Sequence, residues 1–322
     1  MSRRKKPCLR RRNPCTFKVC KAFSRHLLFF SSVFLTFSVN AQSILPQFED
    51  SLSSFQKQLY SANSDKEKME INSRLKATFE RALKSDLSFD YSFDSLKEFG
   101  RIYSPDKSFR IISWDLPHTD GTHNYYGFIQ TRNSKHKSYQ LFSLTDRSSE
   151  IKNAENYSGD AGKWYGMLYY KIIPVQVKRK YYYTLLGFNG NDKLTSKKII
   201  DILYFGPDGS PKFGADLFRV EKKFPKRMIF EYSALVVMSL KYNESSKMIV
   251  LDHLSPPHPG LQGQFQYYGP DFSLDGFEFK KGQWNYIQDI DARNKKNSKD
   301  NKYKDPQDKS KDRDSKTFYK SD

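Results

Sequence analysis

The chain has 322 residues and a formal net charge of +19. Residues 1–26 carry ten Lys or Arg and no acidic residue, and residues 293–322 carry eleven Lys or Arg against six Asp. Subtracting these contributions of +10 and +5 from the total leaves only +4 for the body of the chain. The body therefore gives no support for a nucleic-acid-binding protein with a basic surface.

Residues 1–41 are predicted to be a cleavable secretory signal. The basic segment is followed by an uncharged apolar run, Leu27 to Val39, and then by Asn40-Ala41-Gln42, which fits a signal peptidase site. As a helix, this run would span about 20 Å, short of the roughly 30 Å core of a bilayer, so an uncleaved anchor is the weaker alternative. All three cysteines precede the cleavage site. The exported chain is therefore expected to lack disulfides and thiol nucleophiles and to depend on a hydrophobic core.

Residues 42–86 are predicted to form a helical hairpin. Apolar residues recur every three or four positions in two runs, Phe48, Leu52, Phe55 and Leu59, then Ile71, Leu75, Phe79 and Leu83. Between the runs, Ser64 and Glu67 have the spacing of a capping box, which predicts the start of the second helix. The apolar stripe of the hairpin is expected to dock on the sheet that follows.

Residues 87–291 are predicted to form an antiparallel β domain. The first alternation of apolar and polar residues runs from Leu87 to Phe93. Further strand candidates are Phe109–Asp115, Tyr125–Thr131, Tyr139–Thr145, Trp164–Ile173, Tyr181–Phe188, Ile199–Phe205, Arg227–Tyr232, Leu235–Tyr242, Met248–Leu251, Gly276–Lys280 and Trp284–Ile287. For the candidate Ile199–Phe205, the alternative is a short helix over Lys197–Asp201 that is capped by Thr195. Short strands joined by turns predict a mainly β (α+β) fold, either an antiparallel sandwich or a barrel-like sheet, preceded by the hairpin.

The first candidate site is a metal site in the segment from His118 to His123. His118, Asp120 and His123, with Asp115 upstream, supply the imidazole and carboxylate ligands that zinc accepts. Their spacing matches no motif with a defined geometry, so an ordinary polar loop is the alternative.

The second candidate site is an acid/base site at Asp252, His253 and His258, where a strand candidate enters a Pro-rich loop. Adjacent strand residues point to opposite faces, so Asp252 and His253 are not expected to bond to each other. Ser255 lacks the surroundings of a nucleophile elbow, which gives no support for a Ser-His-Asp hydrolase. A loop held extended by proline is the alternative explanation.

The third candidate site is aromatic. Phe, Tyr and Trp make up 16% of the chain, and Tyr267, Tyr268 and Trp284 would suit stacking on sugar rings if they were exposed. The alternative is that these aromatics fill the core of a strand-rich fold. Four further oxygen donors could ligate calcium, although no EF-hand pattern is present: Asn191, Asp192, Asp271 and Asp275.

Residues 292–322 are predicted to be a disordered charged tail, because they hold almost no aliphatic side chain to bury. Weak tethering to an anionic envelope polymer is a second interpretation of its charge.

Four motifs resemble a family of exported Bacteroidota proteins to which no catalytic or binding role is attached. They are Lys163 to Tyr170, Phe188 to Asp192, Tyr268 to Phe272 and Gly282 to Asn285, and the Ala-Gln cleavage junction suits the same group. The resemblance implies the periplasm or cell surface and no particular chemistry or cofactor. The sequence thus favours an accessory envelope protein that binds an envelope polymer or another envelope protein. The alternatives are a metal-dependent or acid/base hydrolase and a glycan-binding module.

Overall fold

The computed structural model describes residues 44–85, 87–133 and 138–290. Its two helices are α1 (Ile44–Ser61) and α2 (Asp65–Leu83). The strands are β1 (Gly100–Tyr103), β2 (Phe109–Pro117), β3 (His123–Asn133), β4 (Ser138–Thr145), β5 (Gly159–Asp160), β6 (Leu168–Val177), β7 (Lys180–Asn189), β8 (Thr195–Phe205), β9 (Pro211–Phe213), β10 (Phe218–Arg219), β11 (Met228–Ser233), β12 (Leu240–Asn243), β13 (Met248–Ser255), β14 (Gly269–Lys280) and β15 (Gln283–Ile287). The predicted signal and the predicted tail lie outside the described residues.

The helical hairpin begins its second helix at the predicted capping box. Ser64 Oγ accepts a hydrogen bond from the backbone N–H of Glu67, and the Glu67 carboxylate accepts one from Asn63 N–H. These bonds satisfy backbone donors that the helix itself leaves free. The predicted apolar face of α2 is buried. It packs with Leu52 of α1 against the first sheet, as predicted.

The first sheet has the strand order β1-β2-β3-β4 and is covered on both faces. Because side chains alternate along a strand, β2 sends Ile112 and Trp114 to the helices and Phe109 and Ile111 to the opposite side. That opposite side packs against the second sheet, so β2 is buried over almost its whole length.

The second sheet lies in the middle of the fold. Strands β6, β7 and β8 pair in sequence, and the other edge of β8 pairs with β11 along its first half and with β9 at its end. From β8, Ile199 and Leu203 join the core shared with the first sheet, whereas Ile200 and Ile202 join the core shared with the third. Burial on both faces explains the continuous apolar run at this point of the sequence.

The third sheet has the order β10-β15-β14-β13-β12. Its pairs are antiparallel except for the two-residue parallel contact between β10 and β15. Ile249, Leu251, Phe277 and Trp284 point from it into the core under the second sheet. The mainly β fold with an N-terminal helical hairpin and antiparallel sheets is confirmed. Its arrangement is a stack of one helical layer and three open sheets, and no sheet closes into a barrel among the described strands.

The prediction of a strand from Leu87 to Phe93 was wrong. Ser88–Asp90 is a single 3₁₀ turn, and the following residues lead irregularly to β1. Ser88 Oγ donates to Leu83 O at the end of α2, and Ser88 O accepts from the guanidinium of Arg110. Phe89 and Phe93 are both buried. The alternation therefore reflects two anchors of an irregular segment and not one face of a strand.

Two further sequence interpretations needed correction. The short helix considered over Lys197–Asp201 is wrong, because these residues belong to β8 and pair with β7 and β11. The strand predicted from Leu235 to Tyr242 begins only at Leu240. Residues 234–239 form a loop in which Leu235 and Val237 are exposed and Met238 is buried in the core, so an apolar run that resembled a strand is not one.

A buried ion pair lies between β8 and the start of β11. The Arg227 guanidinium donates to Asp201 Oδ2 at 2.9 Å and to Ala154 O at 2.7 Å, and the side chains of both charged residues are fully buried. Burial raises the pKa of Asp201, and the neighbouring guanidinium opposes that shift. The pair ties the 3₁₀ segment Ala154–Asn156 to the middle sheet.

We expect Asp201→Asn to lower the free energy of unfolding by about 3–5 kcal/mol, because it leaves the Arg227 charge buried without its counter-ion. Glu244→Gln is the matched control, since it breaks the exposed ion pair with Lys171 and should cost less than about 1 kcal/mol. Urea denaturation of both variants measures the difference. Equal losses in the two variants would contradict a structural role for the buried pair.

Candidate functional site

The predicted acid/base residue His253 is paired with Asp275, which the sequence suggested only as a calcium ligand and not as a partner of this histidine. His253 Nδ1 lies 2.7 Å from Oδ2 of Asp275 on the neighbouring strand β14. Asp275 is almost fully buried and also accepts hydrogen bonds from the Tyr286 hydroxyl and from the backbone N–H of Asp289. Asp275 thus joins β13, β14, β15 and the segment after β15.

The other ring nitrogen of His253 faces a second carboxylate. His253 Nε2 lies 3.9 Å from Asp271 Oδ2, and Asp271 Oδ1 accepts from both the hydroxyl and the N–H of Ser273. The hydrogen bond to Asp275 raises the pKa of His253; partial burial opposes the shift, and the charges of Asp275 and Asp271 add to it. With a carboxylate on each side, the ring favours its protonated form, which suits an electrostatic anchor better than a general base.

The remaining members of the predicted acid/base site are apart from this pair. Asp252 does not bond to His253, as expected from strand alternation. Its Oδ2 accepts instead from the backbone N–H of Ser239, 2.7 Å away. His258 lies exposed just before the 3₁₀ turn Pro259–Leu261. Asp252, His253 and His258 are therefore not brought together as one site.

The His253 network holds an irregular segment of β14. The register between β13 and β14 shifts between Asp252 and Leu254, opposite residues 271–273. At this point Phe272 has a φ of 71°, in the left-handed region, and its side chain is fully exposed. A left-handed conformation costs a residue with a Cβ roughly 1–2 kcal/mol. The hydrogen bonds from Ser273 to Asp271, together with the attraction between the Asp271 carboxylate and the His253 ring, stabilise the bulge that displays Phe272.

A second exposed apolar segment follows β11 and contacts the start of β14 at Gly269. The turn after β11 is fixed by hydrogen bonds from Ser233 N–H to Tyr268 O and from Ser239 N–H to Asp252. Between these anchors, Leu235 is 93% and Val237 is 86% exposed. The methyl groups of Val236 lie against Gly269 of β14, at 3.7 Å from where a Cβ on that glycine would be. We call Leu235, Val236, Val237 and Phe272 the apolar tip.

The predicted metal ligands are separated by their own hydrogen bonds. His123 Nδ1 lies 2.9 Å from Asp115 Oδ2, whereas His118 Nε2 lies 2.6 Å from Asn124 Oδ1. Asp120 Oδ1 accepts from the N–H and hydroxyl of Thr122 within the turn. No group of three His, Cys, Asp or Glu that could hold a metal ion occurs among residues 44–85, 87–133 and 138–290.

The aromatic candidates divide between the core and the surface. Trp284 is 1% exposed and donates from Nε1 to Thr184 Oγ1 at 2.8 Å, so it cannot stack on a sugar and its proposed contact role is corrected. Tyr268 is half-buried, and Tyr267 is 47% exposed. The latter two therefore do not form a sugar-stacking surface with Trp284.

The calcium candidates lie in two separate places. Asn191 and Asp192 bond to Thr195 and to Lys197 in the turn before β8, which uses their oxygens internally. Asp271 and Asp275 belong to the His253 network. The four residues are not brought together around one position.

Comparisons with known proteins give no relative from which a role can be transferred: no family model, curated protein or solved structure matches the chain. Within the described part of the chain, neither helix has the length and apolar character needed to cross a membrane.

The His253 network predicts a pH-dependent contribution to stability. The folded-state pKa of His253 is raised, so its contribution is fully present below the unfolded pKa of about 6.5 and is lost as the pH rises through the folded value. We expect His253→Gln to destabilise the chain more at about pH 5.5 than at about pH 9. Urea denaturation at both pH values tests this. His258→Gln, at an exposed position, is the control, and equal losses from His253→Gln at both pH values would contradict the prediction.

Proposed function

We propose that this chain is an exported envelope protein that binds another protein through the apolar tip. The observation that supports the proposal is the display of Phe272, fully exposed on a left-handed backbone, on the strand whose Gly269 is contacted by Val236 between the exposed Leu235 and Val237. Exposed apolar side chains that cluster are typical of interaction surfaces. Strained backbone that the surroundings hold in place is often associated with function.

The charges near the apolar tip favour a protein partner with basic residues. Asp252 and Asp271 are next to the tip in the paired strands, and Asp289 contributes to the potential at His253. Exposed Lys193 is a basic neighbour on the other side, beside Leu194, whose carbonyl accepts from Ala234 N–H; the carboxylates outnumber the cations. Such an acidic border opposes an anionic lipid surface. It would also face itself unfavourably in a symmetric contact between two copies of this chain. A segment of a partner protein with apolar residues flanked by Lys or Arg would complement both the apolar side chains of the tip and the carboxylates around them.

The geometry supports the metal-dependent hydrolase and the acid/base hydrolase less well than it supports binding through the apolar tip. The His118–His123 segment does not gather its side chains around one point, and His253 lies between two carboxylates that favour the imidazolium. A glycan-binding role would now depend on Tyr267 and Tyr268 without Trp284. Accordingly, Tyr267→Ala is the suitable test of sugar binding, because Trp284→Ala would instead remove core packing worth about 3–5 kcal/mol.

Photo-crosslinking in cells that express the full chain tests the proposed surface. Benzoylphenylalanine replaces Val237 or Phe272 in the tip. The control replaces Ser245, which is exposed in the turn at the opposite end of β12 and β13. We expect both tip positions to crosslink to the same polypeptide, at a segment in which apolar residues adjoin Lys or Arg, and the control position to give no such product. Crosslinks only to lipid, to a second copy, to residues 292–322 of the same chain or to nothing would each overturn the proposal.

Phe272→Gly separates stability from binding. Glycine adopts positive φ without the steric cost of a Cβ, so the free energy of unfolding should stay the same or rise by up to about 1 kcal/mol. Loss of an aromatic anchor should weaken partner binding by about 2 kcal/mol or more, read as loss of the crosslink from position 237. Urea denaturation supplies the stability measurement. Destabilisation together with retained crosslinking would show that Phe272 serves packing and not recognition.

A further inference from the structure

A cavity of about 230 Å³ lies between the helical hairpin and the edge of the first sheet. Its inner wall is apolar and comes from the buried residues Ala62, Phe99, Trp114 and Leu116. Leu59 of α1 adds to this wall. A 150 Å³ apolar cavity can hold benzene, so this one has room for a somewhat larger molecule with an aromatic or aliphatic body.

The polar groups of the cavity lie toward its mouth. Tyr60 and Glu98 are exposed there, and Asp115 and Gln56 are partly buried. Asp115 alternates with Trp114 and Leu116 along β2, so its side chain points to the opposite side of the sheet, where its carboxylate is within hydrogen-bond distance of His123. In the described chain, the carboxylate of Glu98 has no hydrogen-bond or ion-pair partner. The cavity is therefore amphipathic, with an apolar inner end and a polar mouth that carries Glu98.

The charge of the mouth is negative despite the presence of Lys68. The Lys68 ammonium donates to Pro117 O at 2.9 Å and interacts with the carboxylate of Asp65 on its own helix, so it does not pair with Glu98 or Asp115. Burial raises the pKa of Tyr60, and the charges of Glu98 and Asp115 add to that shift. Both carboxylates thus act on the space that Tyr60 borders.

The aromatic rings that line the inner end of the cavity indicate which part of a ligand can bind there. Trp114 stacks with Phe79 and with Tyr126, with ring centroids 5.8 and 5.7 Å away, and its Nε1 donates to Asn72 Oδ1. Rings that are engaged with one another offer little free face to a cation, and the edge of an aromatic ring is electropositive. A cation is consequently disfavoured at the inner end and favoured at the mouth, beside the carboxylate of Glu98.

We propose that this cavity binds a small organic amine whose apolar body packs against Phe99, Trp114 and Leu116 while its ammonium group meets Glu98 at the mouth. The ligand class is a primary amine attached to one ring or a short aliphatic chain. The site is built from α1, α2 and the first sheet and is independent of the apolar tip.

Three probes of similar shape and different charge test the proposal on the full chain by calorimetric titration near pH 7. They are phenethylamine, which is a cation, 2-phenylethanol, which is neutral, and 3-phenylpropionate, which is an anion. We expect phenethylamine to bind about tenfold or more tightly than the anion, with the alcohol between them. Equal affinity for all three, preference for the anion, or no binding of phenethylamine overturns the proposal.

Two substitutions locate the binding. Glu98→Gln removes an exposed charge at the mouth and should weaken phenethylamine binding roughly two- to fivefold while leaving 2-phenylethanol unaffected. Ala62→Leu fills the inner end and should weaken all the probes that bind. Glu70→Gln, an exposed change on α2 outside the cavity, is the matched control and should change nothing. Because Glu98 is exposed and has no ion-pair partner among the described residues, Glu98→Gln should fold normally, and full phenethylamine affinity in this variant would also refute the assigned site.

Discussion

The burial of the middle sheet on both faces is the constraint on which the other layers depend. Strands β7 and β8 send side chains into two separate cores, so neither face of this sheet tolerates solvent. The first and third sheets supply the covers, and the helical hairpin in turn covers the outer face of the first sheet. At about 25 cal/mol per Å² of apolar surface, such layering provides the core that a chain without disulfides requires. The high aromatic content of the sequence is largely explained by these three cores.

Buried polar groups fix how the layers and the irregular segments join. Arg110 of β2 is almost fully buried, and its guanidinium donates to Gln130 Oε1, Ser88 O, Tyr91 O and the Tyr103 hydroxyl, among the rings of Phe89 and Phe93. Burial lowers the pKa of this arginine. Since a buried charge requires several well-placed acceptors, this one residue fixes the path of the chain from α2 to β1. Asp275 does the same for the end of the third sheet, with three donors on one carboxylate.

The parts of the structure that the sequence predicted are those decided by local pattern. The spacing of Ile71, Leu75, Phe79 and Leu83 and the capping box at Ser64 determine α2 within its own length. The segment after Leu87 was mispredicted because its conformation is set by Arg110, more than 15 residues away along the chain. The same limit applies at His253: alternation excluded Asp252 as its partner, yet Asp275 could be identified only once the register of β13 and β14 and its bulge were known. The cavity was not predicted, because its lining comes from four separated stretches of the chain.

The apolar tip follows from the same layered construction. In a stack in which neighbouring sheets cover one another, the faces of the strands are buried and contribute to stability. Apolar side chains that bind a partner are therefore most easily displayed on turns and bulges. Such groups must be held by other interactions, because nothing packs over them. The turn with Leu235 and Val237 is held by Tyr268 and Asp252, and the bulge with Phe272 by Asp271, Ser273 and His253. His253, which together with Asp252 and His258 suggested acid/base chemistry, is then better explained through its pair with Asp275 as a support of the proposed binding surface at the end of the third sheet.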